Sequence, residues 1–222
     1  MPSEFDARTL NWRFVVPDEP AGLLLLPANG ERLDGAVVPD HTAAALLATL
    51  AEGPFPAVAV PDLGVWGHLA GGGRSGRMLE RLAGAVAPGG WLYAGFANPW
   101  YPARFRLTRA MRLRRAVRIL HRAGMGGTEV YLAFPDQTCP AYLVSKGGPA
   151  ELDAFLRHLF LPYAGASQGW RGRVKQRVLS LMRAAALVSP HSLKARFAPA
   201  LAIVARRGGP GGQQPRGAER SG

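Results

Sequence analysis

The sequence contains almost no cysteine and no long apolar run, and both absences exclude classes of protein. Cys139 is the only cysteine among the 222 residues, so an intrachain disulfide or a zinc site made of cysteines is excluded. The longest strongly apolar stretches, 22–27 and 198–205, are much shorter than the roughly 20 residues that a membrane-spanning helix needs. The N-terminus, MPSEFDARTL, has neither a basic nor an apolar segment, so no signal peptide is predicted. Together these absences favour a reducing, cytoplasmic location.

Lysine is also scarce, although the chain is basic, with a formal net charge of +12. Nearly all the basic residues are arginines, which together with 28 glycines and 19 prolines indicates a GC-rich coding bias. The excess charge lies in residues 103–122 and 163–222. Clustered arginines can contact phosphates, but no RNA-binding module is present, so a nucleic-acid partner is not favoured. A solvated helix face is the first interpretation of 103–122, and an anionic membrane or an acidic partner remains open.

Short apolar runs alternate with helical patterns along the chain. Runs bounded by glycine or proline predict buried strands at 22–27, 35–40, 57–60, 91–96, 129–134 and 200–205. Helical spacing predicts helices at 41–52, 76–87, 104–123, 150–161 and 172–187. Residues 11–17 are predicted to be a short strand or an ordered lead-in. This alternation predicts an α/β fold with a mostly parallel sheet covered on both faces.

Five segments carry a resemblance to a known family. They are VAVPDL (58–63), GHL (67–69), APGGWLYAGF (87–96), HRAGMGGTEVYLAFPD (121–136) and FAPALAIVARR (197–207). In this order they resemble the C-terminal half of the class I S-adenosylmethionine (SAM)-dependent methyltransferases. The resemblance implies a three-layer Rossmann-like sheet, mostly parallel with an antiparallel C-terminal strand. It also implies SAM as cofactor and methyl transfer to a small-molecule, glycan or lipid-linked acceptor.

The resemblance predicts one domain over residues 1–207, and the glycine-rich, polar composition of 208–222 predicts a disordered tail. Within the domain, 163–196 is predicted to be a helical insertion or a lid. The first half departs from the family. Its SAM loop, (D/E)-x-G-x-G-x-G, is replaced by LLLLPANGERL (23–33), and the short spacing between the strands indicates that at least one βα unit is missing. This degenerate loop leaves a second function open, a catalytically inactive methyltransferase-like partner or scaffold.

The resemblance also implies cofactor-binding residues. Asn29 and Gly30 occupy the SAM loop, although Pro27 removes a backbone donor there. Asp40, after the second strand, is expected to accept hydrogen bonds from the ribose hydroxyls, and Asp62 to border the methionine or adenine end. The structural alternatives are that Asp40 caps the following helix and that Asp62 is a turn acid.

Two residues are candidates for the chemistry on the acceptor. His68 lies in the GHL segment, where a histidine near the substrate would act as general base. Asn98 follows the strand at 91–96 and would orient the acceptor. The alternatives are a packing or capping histidine and an ordinary Asn-Pro turn. No residues have the spacing of metal ligands, so no metal is predicted.

Residues 170–187 predict an amphipathic helix with cations crowded at its start. Cations there oppose the helix dipole, so another cause must favour them. Packing of the apolar face onto the domain is the first expectation. A lid over the substrate pocket and docking to an anionic membrane surface, which would make the protein membrane-peripheral, remain open.

Overall fold

A computed structural model describes residues 7–70, 75–101, 111–158, 170–194 and 198–209. The strands are β1 (Leu24–Leu25), β2 (Phe55–Val60), β3 (Val86–Ala97), β4 (Met125–Phe134), β5 (Tyr142–Ser145) and β6 (Ala200–Arg207). The α-helices are α1 (Ala43–Ala51), α2 (Leu63–Gly67), α3 (Ser75–Ala85), α4 (Leu113–Arg122), α5 (Pro149–His158), α6 (Trp170–Val188) and α7 (His191–Lys194). Two 3-10 helices span Ala7–Val15 and His68–Ala70. Most of the predicted tail, 210–222, and the start of the predicted arginine-rich helix, 104–110, lie outside the described residues.

The strands form one six-stranded mixed sheet with the order β1-β2-β3-β6-β4-β5. β1, β2 and β3 are parallel to one another. β6 is antiparallel to both of its neighbours, β3 and β4, and β5 is antiparallel to β4 at the sheet edge. The predicted α/β class is therefore confirmed, but the sheet is mixed, and neighbouring strands are parallel only among β1, β2 and β3. The carboxyl ends of β1 to β4 lie at the same edge of the sheet, which is where ligands bind in open α/β sheets.

The outermost predicted strand, 35–40, is reduced to a single parallel bridge between Val37 and Leu24. The backbone N–H of Val37 donates to the Leu23 carbonyl, and the Leu25 N–H donates to the Val37 carbonyl. A single bridge is too short to count as a strand. The two hydrogen bonds nevertheless hold the segment beside β1. The chain that follows Val37 therefore emerges at the same sheet edge as the end of β1.

The two faces of the sheet are covered differently. The α-helices bury their apolar residues with Leu24, Val58 and Leu92 on one face, in the main core cluster. On the other face, Leu23 and Leu25 lie in a smaller cluster with Trp12 of the first 3-10 helix. Within the described residues no α-helix contributes to this second cluster. α1, the helix between β1 and β2, packs on the first face through Leu46.

Three local predictions are corrected. Residues 11–17 are not a strand, because most of them lie in the 3-10 helix that places Trp12 on the sheet. Residues 88–90, between the predicted helix at 76–87 and the predicted strand at 91–96, lie inside β3, where Gly89 has a φ of 82° and the register with β2 shifts. β5 was not predicted, because YLVS is a short run near the prolines at 135 and 140. None of the helices in the described ranges is both long enough and apolar enough to cross a membrane.

Tyr93 is a buried tyrosine whose hydroxyl has no hydrogen-bond partner among the described residues. Burial raises the pKa of Tyr93 above its ordinary value. Burial, followed by the hydrogen bond to Glu129, raises the pKa of Tyr131 to about 12. Above pH ~10, the ordinary tyrosine pKa, the unfolded chain loses these protons while the folded chain keeps them. The free energy of unfolding is therefore expected to fall as the pH rises from about 10 to about 12.

Tyr93→Phe tests this account. Removing an unpaired buried hydroxyl is expected to leave the free energy of unfolding at pH 7 unchanged or to raise it by about 1 kcal/mol. The free energy of unfolding of this variant should fall less steeply at alkaline pH, because one of the two tyrosines with a raised pKa is gone. Urea unfolding of both proteins at neutral and alkaline pH measures the two effects. A loss above about 1 kcal/mol at pH 7 would mean that the hydroxyl is bonded.

Candidate functional site

A cleft of about 350 Å³ opens at the carboxyl edge of the sheet beside β1. This volume is at the lower end of the range for small-molecule sites, roughly 300–1,000 Å³. Its walls come from the loop after β1, from the segment after Val37 and from α2. The lining residues are Pro27, Ala28, Gly30, Glu31, Arg32, Val38, Pro39, Asp40, His41, Val65 and Trp66.

The loop after β1 is held in place by α2. The indole N–H of the fully buried Trp66 donates to the Pro27 carbonyl at 2.8 Å. The loop thus lacks a backbone N–H at Pro27, but the Pro27 carbonyl is used as an acceptor. Gly30 then turns the chain with a φ of 76°, a conformation that favours glycine. The loop therefore has a defined shape although it lacks the glycines of the family pattern.

Glu31 is the functional candidate that the sequence analysis missed. Glu31 is only 1% exposed and is one of the residues that line the cleft. One carboxylate oxygen, Oε2, accepts a hydrogen bond from the Asn29 N–H at 2.8 Å. The other, Oε1, is buried without a partner among the described residues. Since an unpaired buried carboxylate oxygen is costly, this atom favours a ligand that donates a hydrogen bond or carries a positive charge.

Asp40 lines the cleft from the opposite segment. The alternative that Asp40 caps the following helix is wrong, because α1 begins at Ala43 and Thr42 is its N-cap. The Thr42 hydroxyl accepts from the Ala45 N–H at 3.1 Å. The Asp40 side chain is exposed and makes no hydrogen bond within the described residues. Its carboxylate is therefore available to a ligand.

Two histidines lie together where α2 borders the cleft. His41 is a lining residue, and its ring packs edge-on against Trp66 with 4.6 Å between ring centroids. The ring of His68 lies 5.4 Å from that of His41, beside the cleft but not among its lining residues. Both side chains are exposed. The sequence analysis chose His68 from the GHL segment and overlooked His41, whose only sequence signal is its position next to Asp40.

Asp62 lies at the carboxyl end of β2, as predicted, but outside the cleft lining. Oδ1 caps α2 by accepting from the Gly64 N–H at 2.7 Å. Oδ2 accepts from the side-chain amide of Gln137 at 2.8 Å. Both carboxylate oxygens are therefore engaged in bonds that hold α2 and the loop after β4 against the end of β2.

Asn98 is buried and holds two chain segments together. Its Nδ2 donates to the Ala198 carbonyl at 2.7 Å, and its Oδ1 accepts from the Trp100 N–H at 3.1 Å. The second bond is typical of an Asn turn. Asn98 therefore links the end of β3 to the segment that enters β6, and it is not among the residues that line the cleft.

The cleft thus brings together Gly30 and Asp40 of the predicted residues and adds Glu31 and His41. Asn29 is exposed beside it and contributes its backbone N–H to Glu31. Among the described residues no three His, Cys, Asp or Glu side chains are grouped so as to hold a metal ion. No protein-family model and no curated protein matches this sequence. The geometry of the cleft is therefore the main guide to function.

Proposed function

We propose that this chain is a SAM-dependent methyltransferase-like protein that binds its cofactor in the cleft beside β1. Its methyl acceptor would be a small molecule, a glycan or a lipid-linked intermediate. The observation that carries the proposal is that Glu31, which lines the same cleft as Asp40, has one buried carboxylate oxygen without a partner among the described residues. Two carboxylates at the carboxyl edge of a parallel sheet suit a ligand with hydroxyl and cationic groups.

The strand order supports this proposal. The resemblance to class I methyltransferases implies a mostly parallel sheet with an antiparallel C-terminal strand. β6 is such a strand, and it lies between β3 and β4, which run parallel to each other. The single bridge at Val37, followed three residues later by Asp40, agrees with a reduced second strand that ends in an acid.

The residues of the cleft fit the chemical groups of SAM. The cofactor carries a ribose diol, a primary ammonium group and a positively charged sulfonium. Asp40 would accept hydrogen bonds from the two ribose hydroxyls, and Glu31 would face the cationic amino-acid part. Val38 and Pro39 offer an apolar wall to the base.

When bound, SAM supplies an electrophilic methyl group on a positively charged sulfur. The contribution of the chain is to hold the reactants and to move one proton. Aligned binding alone provides most of the acceleration in such transfers. His68, beside the cleft, would accept the proton of an attacking hydroxyl or amine on its ring nitrogen. His41 lies between His68 and the cleft, packed against Trp66, and would help to position that ring.

Isothermal titration of the full chain with SAM and with S-adenosylhomocysteine tests the proposal. We expect both ligands to bind, and we expect Glu31→Gln and Asp40→Asn each to weaken binding about 10- to 100-fold. The magnitude is that of a lost hydrogen bond to a charged group, about 1.5–3 kcal/mol. Glutamine keeps an oxygen for the Asn29 N–H, so the loop should be preserved.

Glu52→Gln is the matched control, because Glu52 is exposed at the end of α1 and does not line the cleft. It removes the same charge and should leave the affinity unchanged. Equal losses in all three variants would indicate a general electrostatic effect. Absence of heat with either ligand at millimolar concentration, from a chain shown to be folded, would remove the cofactor-binding proposal.

A second candidate function is a catalytically inactive methyltransferase-like partner or scaffold. The observation that favours it is that Asp62 and Asn98, the polar groups expected above β2 and β3, are used in internal hydrogen bonds. The test is isolation of the tagged full chain from its native host. A stoichiometric complex with another protein, together with no binding of SAM, would support this function over the first.

A further inference from the structure

Helix α6 carries an apolar stripe whose described side chains are exposed. Val174, Leu181 and Val188 are 51%, 72% and 86% exposed. Their spacing of seven residues places them two turns apart along one side of the helix. Ala185, on the same side, is also exposed. An exposed row of large aliphatic side chains is unfavourable in water and indicates a surface that is covered by another molecule.

The opposite side of α6 attaches the helix to the domain. The guanidinium of Arg183 donates to the Arg157 carbonyl at the end of α5. Leu187 packs against the main core cluster. Arg183 lies half a turn around the helix from the stripe, as helical geometry requires. The expectation that the apolar face of this helix packs onto the domain is therefore wrong for Val174 and Leu181.

The charges of α6 indicate what covers the stripe. Arg173 and Arg177 are exposed next to Val174. The helix sequence contains no acidic residue and five cations, Arg171, Arg173, Lys175, Arg177 and Arg183. Four of them lie near the N-terminus, where they oppose the helix dipole. Their position is not explained by the stability of the helix, but it suits a negatively charged partner.

We propose that α6 docks on an anionic lipid surface. Val174, Leu181 and Val188 would enter the boundary between headgroups and acyl chains, and the arginines would contact lipid phosphates. An apolar row flanked by cations is the arrangement of helices that lie in a membrane interface. A second copy of this helix offers no acidic residue to these cations in either orientation, whereas an anionic lipid surface offers them negative charge. This docking site is separate from the cleft and does not depend on the cofactor.

Vesicle sedimentation with the full chain tests the docking site. Phosphatidylcholine vesicles are compared with vesicles that also contain phosphatidylglycerol. We expect binding to the anionic vesicles and little binding to the neutral ones. The triple variant Val174→Ser, Leu181→Ser, Val188→Ser should fall to the neutral-vesicle level. Arg173→Gln with Arg177→Gln should weaken binding roughly 10- to 30-fold, since each cation near an anionic surface contributes about 1 kcal/mol.

Two control variants match these changes. Leu47→Ser removes an apolar side chain that is 47% exposed on a different helix, α1. Arg114→Gln with Arg122→Gln removes the same charge from exposed positions of α4. Both controls should bind anionic vesicles like the unmodified chain.

Three results would overturn the proposal. The first is equal binding to neutral and anionic vesicles, and the second is an equal loss in the α4 control, which would mean that net charge alone is responsible. The third is a dimer detected by light scattering that Leu181→Ser dissociates, with no binding to vesicles. That result would identify a second copy of the chain as the molecule that covers the stripe.

Discussion

Replacing Gly95 with alanine is expected to lower the free energy of unfolding by about 3 kcal/mol or more. Gly95 lies in β3, and a Cβ atom there would be 2.1 Å from the Pro61 carbonyl oxygen and 3.1 Å from its carbon. These are backbone atoms that cannot rotate away as a flexible side chain could. The strand and the Pro61 corner would have to separate, which disrupts both.

The same substitution should also reduce ligand binding in the cleft. Pro61 is followed by Asp62, which caps α2, and Trp66 of α2 holds the cleft loop through the Pro27 carbonyl. A displacement of Pro61 is therefore transmitted to the cleft wall. Urea unfolding measures the stability, and titration with S-adenosylhomocysteine measures the affinity of whatever fraction remains folded.

Gly84→Ala is the matched control for Gly95→Ala. Gly84 lies near the end of α3, and a Cβ there meets no atom within 4 Å. Alanine in a helix is favoured over glycine by up to about 1 kcal/mol, so this variant should be slightly more stable than the unmodified protein. Similar destabilisation by both substitutions would contradict the close approach of Pro61 to β3.

Replacing Trp12 with alanine is expected to cost about 3–5 kcal/mol, the usual range for an aromatic residue removed from a core. Trp12 is fully buried and covers the face of the sheet to which no described α-helix contributes. Its ring lies 5.7 Å from Tyr93 and 6.3 Å from Trp91, measured between ring centroids. No other aromatic side chain of the described N-terminal segment is buried on this face, so the cavity cannot be filled locally.

The neighbouring Phe14 provides the control for Trp12. Both residues belong to the same 3-10 helix, but Phe14 is 85% exposed. Phe14→Ala should change the free energy of unfolding by less than about 0.5 kcal/mol. Urea unfolding measures the free energy of unfolding of both variants. A loss in Trp12→Ala alone is due to the uncovered sheet, whereas a loss in both is due to a general effect on the 3-10 helix. Equal free energies of unfolding for Trp12→Ala and Phe14→Ala would show that the N-terminal segment does not protect the second face of the sheet.

The strands that could be predicted were those whose own residues determine their burial. The run at 22–27 is apolar at every position, so it has to be buried on both faces, and Leu23 and Leu24 do lie in opposite clusters. The same holds for the runs at 57–60, 91–96 and 200–205. β5 was not predicted, because YLVS forms a strand by pairing with β4. The four residues alone carry only a weak signal for that pairing.

The candidate site was predicted less well than the sheet. Asp40 and Gly30 could be chosen because the resemblance implies a cofactor loop after the first strand and an acid at the end of the second. Glu31 could not be recognised, because its significance is the burial of an unpaired oxygen, which depends on the loop shape set by Trp66 and Gly30. Asp62 and Asn98 were located at the strand ends, but one hydrogen-bond partner of each, Gln137 and Ala198, is distant in sequence.

The sequence by itself determined that this chain forms a single α/β sheet, since continuous apolar runs bounded by glycine and proline have few other stable arrangements. It also determined that the end of β1 lacks a glycine-rich loop and that α6 has no acid. Only the tertiary structure decided that β6 lies between β3 and β4, that Trp12 of a 3-10 helix and no described α-helix covers the second face, and that Val174, Leu181 and Val188 of α6 are exposed. These three outcomes depend on contacts between distant segments, and the free energy of such contacts is not a property of any segment alone.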